Sequence, residues 1–265
     1  MRFINSNLLV PVILLALSGC VCRPVVVTHP RAAASPEELL SMLGERTRYW
    51  SSYQANVHIR GQSAKGKFRL RAIIVAQLPD RFRLEAFTPI GQTAGVLVFN
   101  PAGASLWIPS EQVLFSADRA ETLINHFLGI PVPAEIFGYG LTASIPRGVE
   151  LSEPKPSTLD SGWTISTTGG TGGSDSLVST WSLLSQPLAM KTVSVRQGTL
   201  DYTIGYEPAA SLELRQTPGE IRFASSQWRL EIGVDQMMPN PEIRSGAFDL
   251  PVPAGIRRVR LTGVQ

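Results

Sequence analysis

The chain is poor in the residues that carry most enzyme chemistry. It holds two cysteines and three histidines in 265 residues. His29, His58 and His126 are scattered, with no cysteine or carboxylate at a spacing that would hold zinc. No Gly-x-Ser-x-Gly elbow and no local serine–histidine pairing occurs. One glycine-rich stretch, Gly61-Gln62-Ser63-Ala64-Lys65-Gly66-Lys67, has phosphate-loop spacing up to its lysine. Phe68 then stands where Ser or Thr should hold magnesium, and the stretch joins two alternating segments instead of a strand and a helix. It is read as a polar hairpin turn. These gaps argue against an enzyme, a metal or a cofactor.

Charge is scarce too. Charged residues make up 17% of the chain, below the usual level of about 25%. The net charge of +3 and the pI near 9.1 come from 24 basic against 21 acidic residues, too small an imbalance to indicate nucleic acid. A chain with so little charge has much apolar surface to place somewhere. No internal repeat is visible.

What is present starts at the N-terminus. Residues 8–17 form an apolar run of ten, interrupted by Pro11. That is too short to span a bilayer and right for a signal-peptide core. It ends in Leu17-Ser18-Gly19-Cys20, which resembles a bacterial lipobox: an aliphatic residue, two small residues, then cysteine. The alternative is an ordinary secretory signal with a chance cysteine. The lipobox reading makes residues 1–19 a lipoprotein signal peptide and Cys20 the acylated, palmitate-bearing residue. Val21, where inner-membrane lipoproteins tend to carry aspartate, favours the periplasmic face of the outer membrane. Each buried methylene of an anchor contributes about 0.8 kcal/mol, so several chains hold a protein on a membrane essentially permanently. With Cys20 acylated, Cys22 has no partner and no disulfide framework supports the fold. Residues 20–35, rich in Pro, Val and Ala, read as a lipidated tether. Residues 36–265 suit one β-rich domain.

Ser35-Pro36-Glu37-Glu38 is a capping box with proline at the first helical position, and Leu39, Leu40 and Leu43 continue at helical spacing. The period then switches to two. Tyr53, Ala55, Val57 and Ile59 alternate with polar residues; Phe68, Leu70, Ala72, Ile74 and Ala76 do the same, as do Phe82, Leu84 and Ala86. These predict half-buried antiparallel strands. Strands at 96–99, 105–108 and 112–115 follow. A second helix is expected with Ser116 as its cap, Asp118 at its positive end, Leu123, Ile124, Phe127 and Leu128 on one face, and Gly129 ending it. A short helical piece over 134–139 comes next, then strands over 163–167, 180–184, 191–196, 200–206, 212–215, 221–224 and 227–234. Residues 167–176 read as a flexible loop and the C-terminal stretch as a proline-broken edge segment. The expected class is α+β, mainly β: a large curled antiparallel sheet with short helices packed into its mouth or concave side.

One turn is odd. Thr88-Pro89-Ile90-Gly91 joins two alternating segments, with Pro89 suited to the second turn position and Gly91 to the fourth. That leaves bulky Ile90 near the tip. Either it folds back to cap the sheet, or it touches something apolar outside the protein.

Two stretches carry a family resemblance. "RFRLEAFTPIGQTAGVLVF", residues 81–99, resembles the Arg-aromatic-Arg-Leu strand, Pro-Leu-Gly turn and apolar strand of the LolB family of outer-membrane lipoprotein receptors. "FSADRAETLINHFLGIPVPAEIFGYGL", residues 115–141, resembles that family's acidic helix, glycine, aliphatic-Pro-aliphatic-Pro break and following helix. Order and spacing match, as do the lipobox and the first strand "YQANVHIRG". The half after Ile145 matches only in kind, with more strands. The resemblance implies a LolA/LolB-type carrier fold, a half-open antiparallel barrel whose helices form a lid over an apolar cavity. It implies cargo of lipoprotein acyl chains, accepted from a periplasmic LolA-like carrier and inserted into the outer membrane by a monomeric protein. The family's exposed leucine on a protruding loop falls at Ile90, so Pro89, Ile90 and Gly91 become the membrane-contact loop. Candidate cavity walls are Phe68, Leu70, Phe82, Leu84, Val96 and Val98. Leu123, Ile124 and Phe127 are candidates for the lid. The same alternation fits a solid core, and sequence does not separate the two. Two other functions stay open: a lipid-binding or sensing lipoprotein of the same fold with no transfer role, and a structural accessory of an envelope complex docking through a sheet edge.

Overall fold

The computed structural model describes residues 35–158, 162–169, 177–185 and 187–262. The signal peptide, Cys20 and all but the last residue of the tether lie outside the described residues, as do positions 170–176 of the expected loop.

The Ser35 cap forms. Helix α1 (Pro36–Tyr49) opens with the Ser35 Oγ accepting from the Glu38 N–H at 3.2 Å, and it buries Leu39 and Leu43. The period-two segments become a meander: β1 (Ser52–Ser63), β2 (Gly66–Gln77), β3 (Arg81–Phe87), β4 (Thr93–Asn100), β5 (Gly103–Ile108) and β6 (Val113–Ala117). Two helices interrupt it, α2 (Ala120–Leu128) and α3 (Ala134–Thr142). The chain then returns through β7 (Lys155–Pro156), β8 (Gly162–Gly169), β9 (Leu177–Ser185), β10 (Leu188–Gln197), β11 (Leu200–Ser211), β12 (Glu220–Ala224) and β13 (Arg229–Pro239). A last strand, β14 (Arg257–Arg260), completes the set.

All of these join one sheet in the order β14-β6-β5-β4-β3-β2-β1-β13-β12-β11-β10-β9-β8-β7. The two end strands do not pair, so the sheet is unclosed. Every pair is antiparallel except β14 with β6, which is parallel. The first and second halves of the chain are stitched through β1 and β13, from Tyr53 opposite Pro239 to Gln62 opposite Arg229. One face of the sheet meets α1, α2 and α3 around the main core. A second, smaller cluster lies on the opposite face, where Ile243, Ala247, Phe248 and Leu250 cover Val75, Val96 and Val98.

Three local expectations are corrected. Ser116 does not cap α2; it sits in β6, opposite Ser105 on one side and Arg260 on the other, and its carbonyl accepts from Leu261 N–H. The cap position belongs to Arg119. The reason is tertiary: β14 extends the ladder of β6, which no local signal announces. Residues 212–215 form a turn, not a strand; the Glu213 carbonyl accepts from a buried arginine described below. Helix α3 also runs three residues beyond the expected 134–139, ending where Ala143 turns left-handed.

Candidate functional site

Between α2 and the sheet lies a void of about 180 Å³ whose wall is made only of apolar atoms. Its lining reaches from Leu106 on β5, across β4, β3, β2 and β1, to Leu230 and Ile232 on β13. Six adjacent strands laid flat would span about 24 Å. A void this small can touch all six only because the sheet curls around α2. The inner-face row is set by register: Ile74 opposite Leu84, Leu84 opposite Leu97, and Ala86 opposite Gly95. Ala86 and Gly95 are small, and the space opens beside them.

Of the wall candidates, Phe68, Leu70, Phe82 and Leu84 line the void. Leu123, Ile124 and Phe127 line it from α2, with Leu128 from the same helix and Phe137 from α3. Val96 and Val98 do not. They point to the opposite face and pack under Phe248, and the inward positions of β4 are Gly95 and Leu97. Residues 96–99 are apolar without a break because this strand is buried on both faces. Alternation is therefore silent about which side faces in, and a one-residue slip exchanges the two faces.

The helix over the void is held at its ends by polar ties. Ser63 Oγ donates to the Leu128 carbonyl at 2.5 Å, and Lys65 Nζ donates to the His126 carbonyl. Both donors come from the β1–β2 hairpin, and both satisfy carbonyls of the last helical turn. Gly129, at φ +66, closes the helix. At the other end Asp118 pairs with Arg260 at 2.6 Å.

The Ile90 turn is well defined. Gly91 N–H donates to the Thr88 carbonyl at 2.9 Å, Thr88 N–H to the Gln92 carbonyl at 2.8 Å, and Gln92 N–H to Thr88 Oγ1 at 3.1 Å. Gly91 supplies the positive φ, +82. Ile90 stands 79% exposed, the most exposed large hydrophobic among the described residues. It does not fold back onto the core.

One organising residue carries no such plain signal in the sequence. Arg46 is fully buried and, among the described residues, has no carboxylate partner and donates only to carbonyls. Nε reaches Thr142 at 3.0 Å and Ala143 at 3.1 Å, Nη2 reaches Thr142 at 2.6 Å and Gln216 at 2.8 Å, and Nη1 reaches Glu213 at 2.5 Å. The guanidinium also lies 5.9 Å from the Trp50 ring. Burial pulls its pKa down to about 10, while the neighbouring Tyr206 hydroxyl acts the other way; Arg46 stays charged at neutral pH. It binds α1 to the C-terminal end of α3, where the helix dipole favours a cation, and to the turn after β11. The one available hint is its place on the apolar stripe Leu39, Leu43, Arg46, Trp50.

No protein-family profile matches the chain. The outer-membrane lipoprotein LolB of Azoarcus sp. (strain BH72) is 31% identical over 84 residues, a match that covers 30% of this chain and 43% of that protein. The matched part is thus less than half of the relative's length. Among solved structures, a LolA superfamily protein from Nitrosomonas europaea superposes with a TM-score of 0.52 at 11% identity, covering 82% of this chain and 99% of the other. A putative outer membrane lipoprotein-sorting protein domain from Vibrio parahaemolyticus gives 0.52 at 10%, covering 81% and 96%. A DUF1329 family protein from Desulfovibrio piger gives 0.53 at 7%, covering 80% and 97%. The fold is of the LolA/LolB type.

Proposed function

We propose that this protein is an outer-membrane-anchored lipoprotein that takes the acyl chains of lipoprotein cargo into its apolar void and helps insert them into the outer membrane. It is not read as an enzyme, and its expected donor is a periplasmic carrier of the same fold. The observation that carries this reading is the all-apolar void beneath α2, at the edge of which only a few polar ties hold the helix. A triacylated cargo presents on the order of 40 methylenes, a gross desorption cost of about 30 kcal/mol. Escape into water would be negligibly slow, so a carrier must supply apolar contact throughout. The void as it stands is close in size to one that holds a single benzene, about 150 Å³. Full cargo therefore requires α2 to move outward, and the ties at Ser63 and Lys65 are the contacts that must break. Ile90, dipping into lipid, contributes about 1.5–3 kcal/mol, enough to orient the protein and too little to anchor it.

The test uses the chain from residue 20 onward with Cys20→Ala, which removes its own lipid. Mass spectrometry of the purified protein is expected to find bound acyl chains. Transfer of a labelled lipoprotein into liposomes is expected to fall with Ile90→Glu while the fold stays intact. The modest size of the void favours one alternative, a lipid-binding or sensing lipoprotein that holds part of a single chain. That protein would bind lipid and be indifferent to Ile90→Glu.

A further inference from the structure

The β1–β2 hairpin carries a cationic set for which the cavity has no use. On the face of the sheet turned away from the void, register places Arg60 opposite Arg69, Gln62 opposite Lys67 and His58 opposite Arg71. From β13, Arg229 stands opposite Gln62 and Glu231 opposite Arg60. Arg60, Lys67, Arg69 and Arg71 are all exposed. Among the described residues none of the four has a carboxylate within ion-pair distance; Arg229 donates to Gln62 Oε1 at 2.6 Å, and Glu231 is the one acid in the groove they line. Like charges directly opposite on antiparallel strands cost stability. The Arg60–Arg69 pair bears that cost, and the acid beside it, Glu231 opposite Arg60, can balance only one of the two charges.

The position of this set matters. The last β2–β3 pair at this end is Arg71 with Phe87, and the Ile90 turn follows at once. Residues 66–70 overhang it. Arg69 lies two residues beyond Arg71, about 7 Å along the strand, which is the height the four-residue Ile90 turn reaches. The unpaired cations and the most exposed aliphatic side chain of the described structure thus share one end of the sheet.

We propose that this outward face of the β1–β2 hairpin is a docking surface for anionic phospholipid headgroups, which sets Ile90 and the end of the void against the bilayer. Charge complementarity and the adjacent exposed aliphatic residue select a lipid surface over a soluble acidic protein. A protein partner would need a matching apolar contact around Ile90, whereas a bilayer offers phosphate and hydrocarbon together. The inference rests on the reading that this end meets a membrane, and its failure is separable from failure of acyl-chain binding.

The experiment measures co-sedimentation of the Cys20→Ala chain with phosphatidylcholine vesicles and with vesicles in which about a third of the lipid is phosphatidylglycerol, each cation near such a surface contributing about fivefold in partitioning. Binding to the anionic vesicles is expected to exceed binding to the neutral ones and to fall as salt is raised. Arg60→Gln with Arg69→Gln is expected to lower partitioning roughly 25-fold. The matched control, Arg81→Gln with Arg215→Gln at the opposite end of the strands, is expected to leave it unchanged. The Arg60/Arg69 variant should also melt at or above the parent's temperature, since a like-charge pair has gone, and should keep the same bound lipid. Equal binding to both vesicle types, or equal losses in the test and control variants, would overturn the proposal whatever the cavity holds.

Discussion

Helix α3 carries glycine where it meets the sheet, and α2 carries none. A Cβ at Gly138 would lie 2.6 Å from Leu78 Cδ2, and one at Gly140 would lie 3.1 Å from the Phe223 ring. Gly138 lets α3 approach Leu78 just after β2, and Gly140 lets it settle closely on Phe223 in the second half of the sheet. Beneath and around it the inner face is closed by bulky side chains: Trp181, Met190, Tyr202 and Phe223 are buried, as is Ile165. In the first half the pattern is reversed. Helix α2 presents Leu123, Ile124, Phe127 and Leu128, while the strands below offer Ala86 and Gly95. Large residues on the helix hold it off a floor that is small in the middle, and space remains. The same architecture thus yields a filled half and a hollow half, and the difference is where the small residues sit.

The comparison breaks most severely at Arg46, the bolt of the filled half. Arg46→Met leaves the carbonyls of Thr142 and Ala143 buried without their donor and takes the same donor from those of Glu213 and Gln216. A loss of about 3 kcal/mol is expected, at about 1–3 kcal/mol for each buried carbonyl left unsatisfied, readable as a lower midpoint in urea denaturation. Next comes Gly140→Leu, which forces α3 away from Phe223. It should cost about 1–3 kcal/mol through overpacking and, by loosening the second half, make that half bind a hydrophobic dye.

The hollow half should respond differently to added bulk. Ala86→Leu places new methyl groups into free space, so stability is expected to change by less than about 1 kcal/mol. Binding of a fluorescent fatty acid should nonetheless drop at least as much as a lost chain segment requires. A large loss of stability with Ala86→Leu would mean the half is not hollow in solution. Smallest in stability is Ile90→Glu. An exposed substitution away from caps and cores stays within about 0.5 kcal/mol, so thermal melting should be unchanged while association with liposomes weakens.

Much of this is legible in the amino-acid order alone. The period-two rows of β1, β3 and the first part of β2 identify their inner faces, because each has one largely wet side and one dry side; from Ile73 to Val75 the alternation lapses, and Val75 packs under the Phe248 cluster. Ser35 announces α1, and the Thr88–Gly91 turn puts Ile90 at a tip, while only the structure shows that it stands exposed. Legibility stops where a segment is apolar on both sides or polar for a distant reason. Val96 and Val98 look like their neighbour Leu97, and only the segment carrying Phe248 tells them apart. Ser116 reads as a cap until β14 is laid beside it. Arg46 reads as one more surface charge at the end of a helix until the α3 carbonyls converge on it.

The chain by itself determined a meander of strands, its helical interruptions and an isoleucine at a wet turn, since those follow from local periodicity, capping and turn chemistry. Tertiary structure alone decided that α2 is the helix around which the sheet curls, that β4 turns Leu97 inward, and that a void survives in one half. Such features depend on which side chains meet across long separations in sequence. Packing distances, not periodicity, settle whether an apolar face is filled.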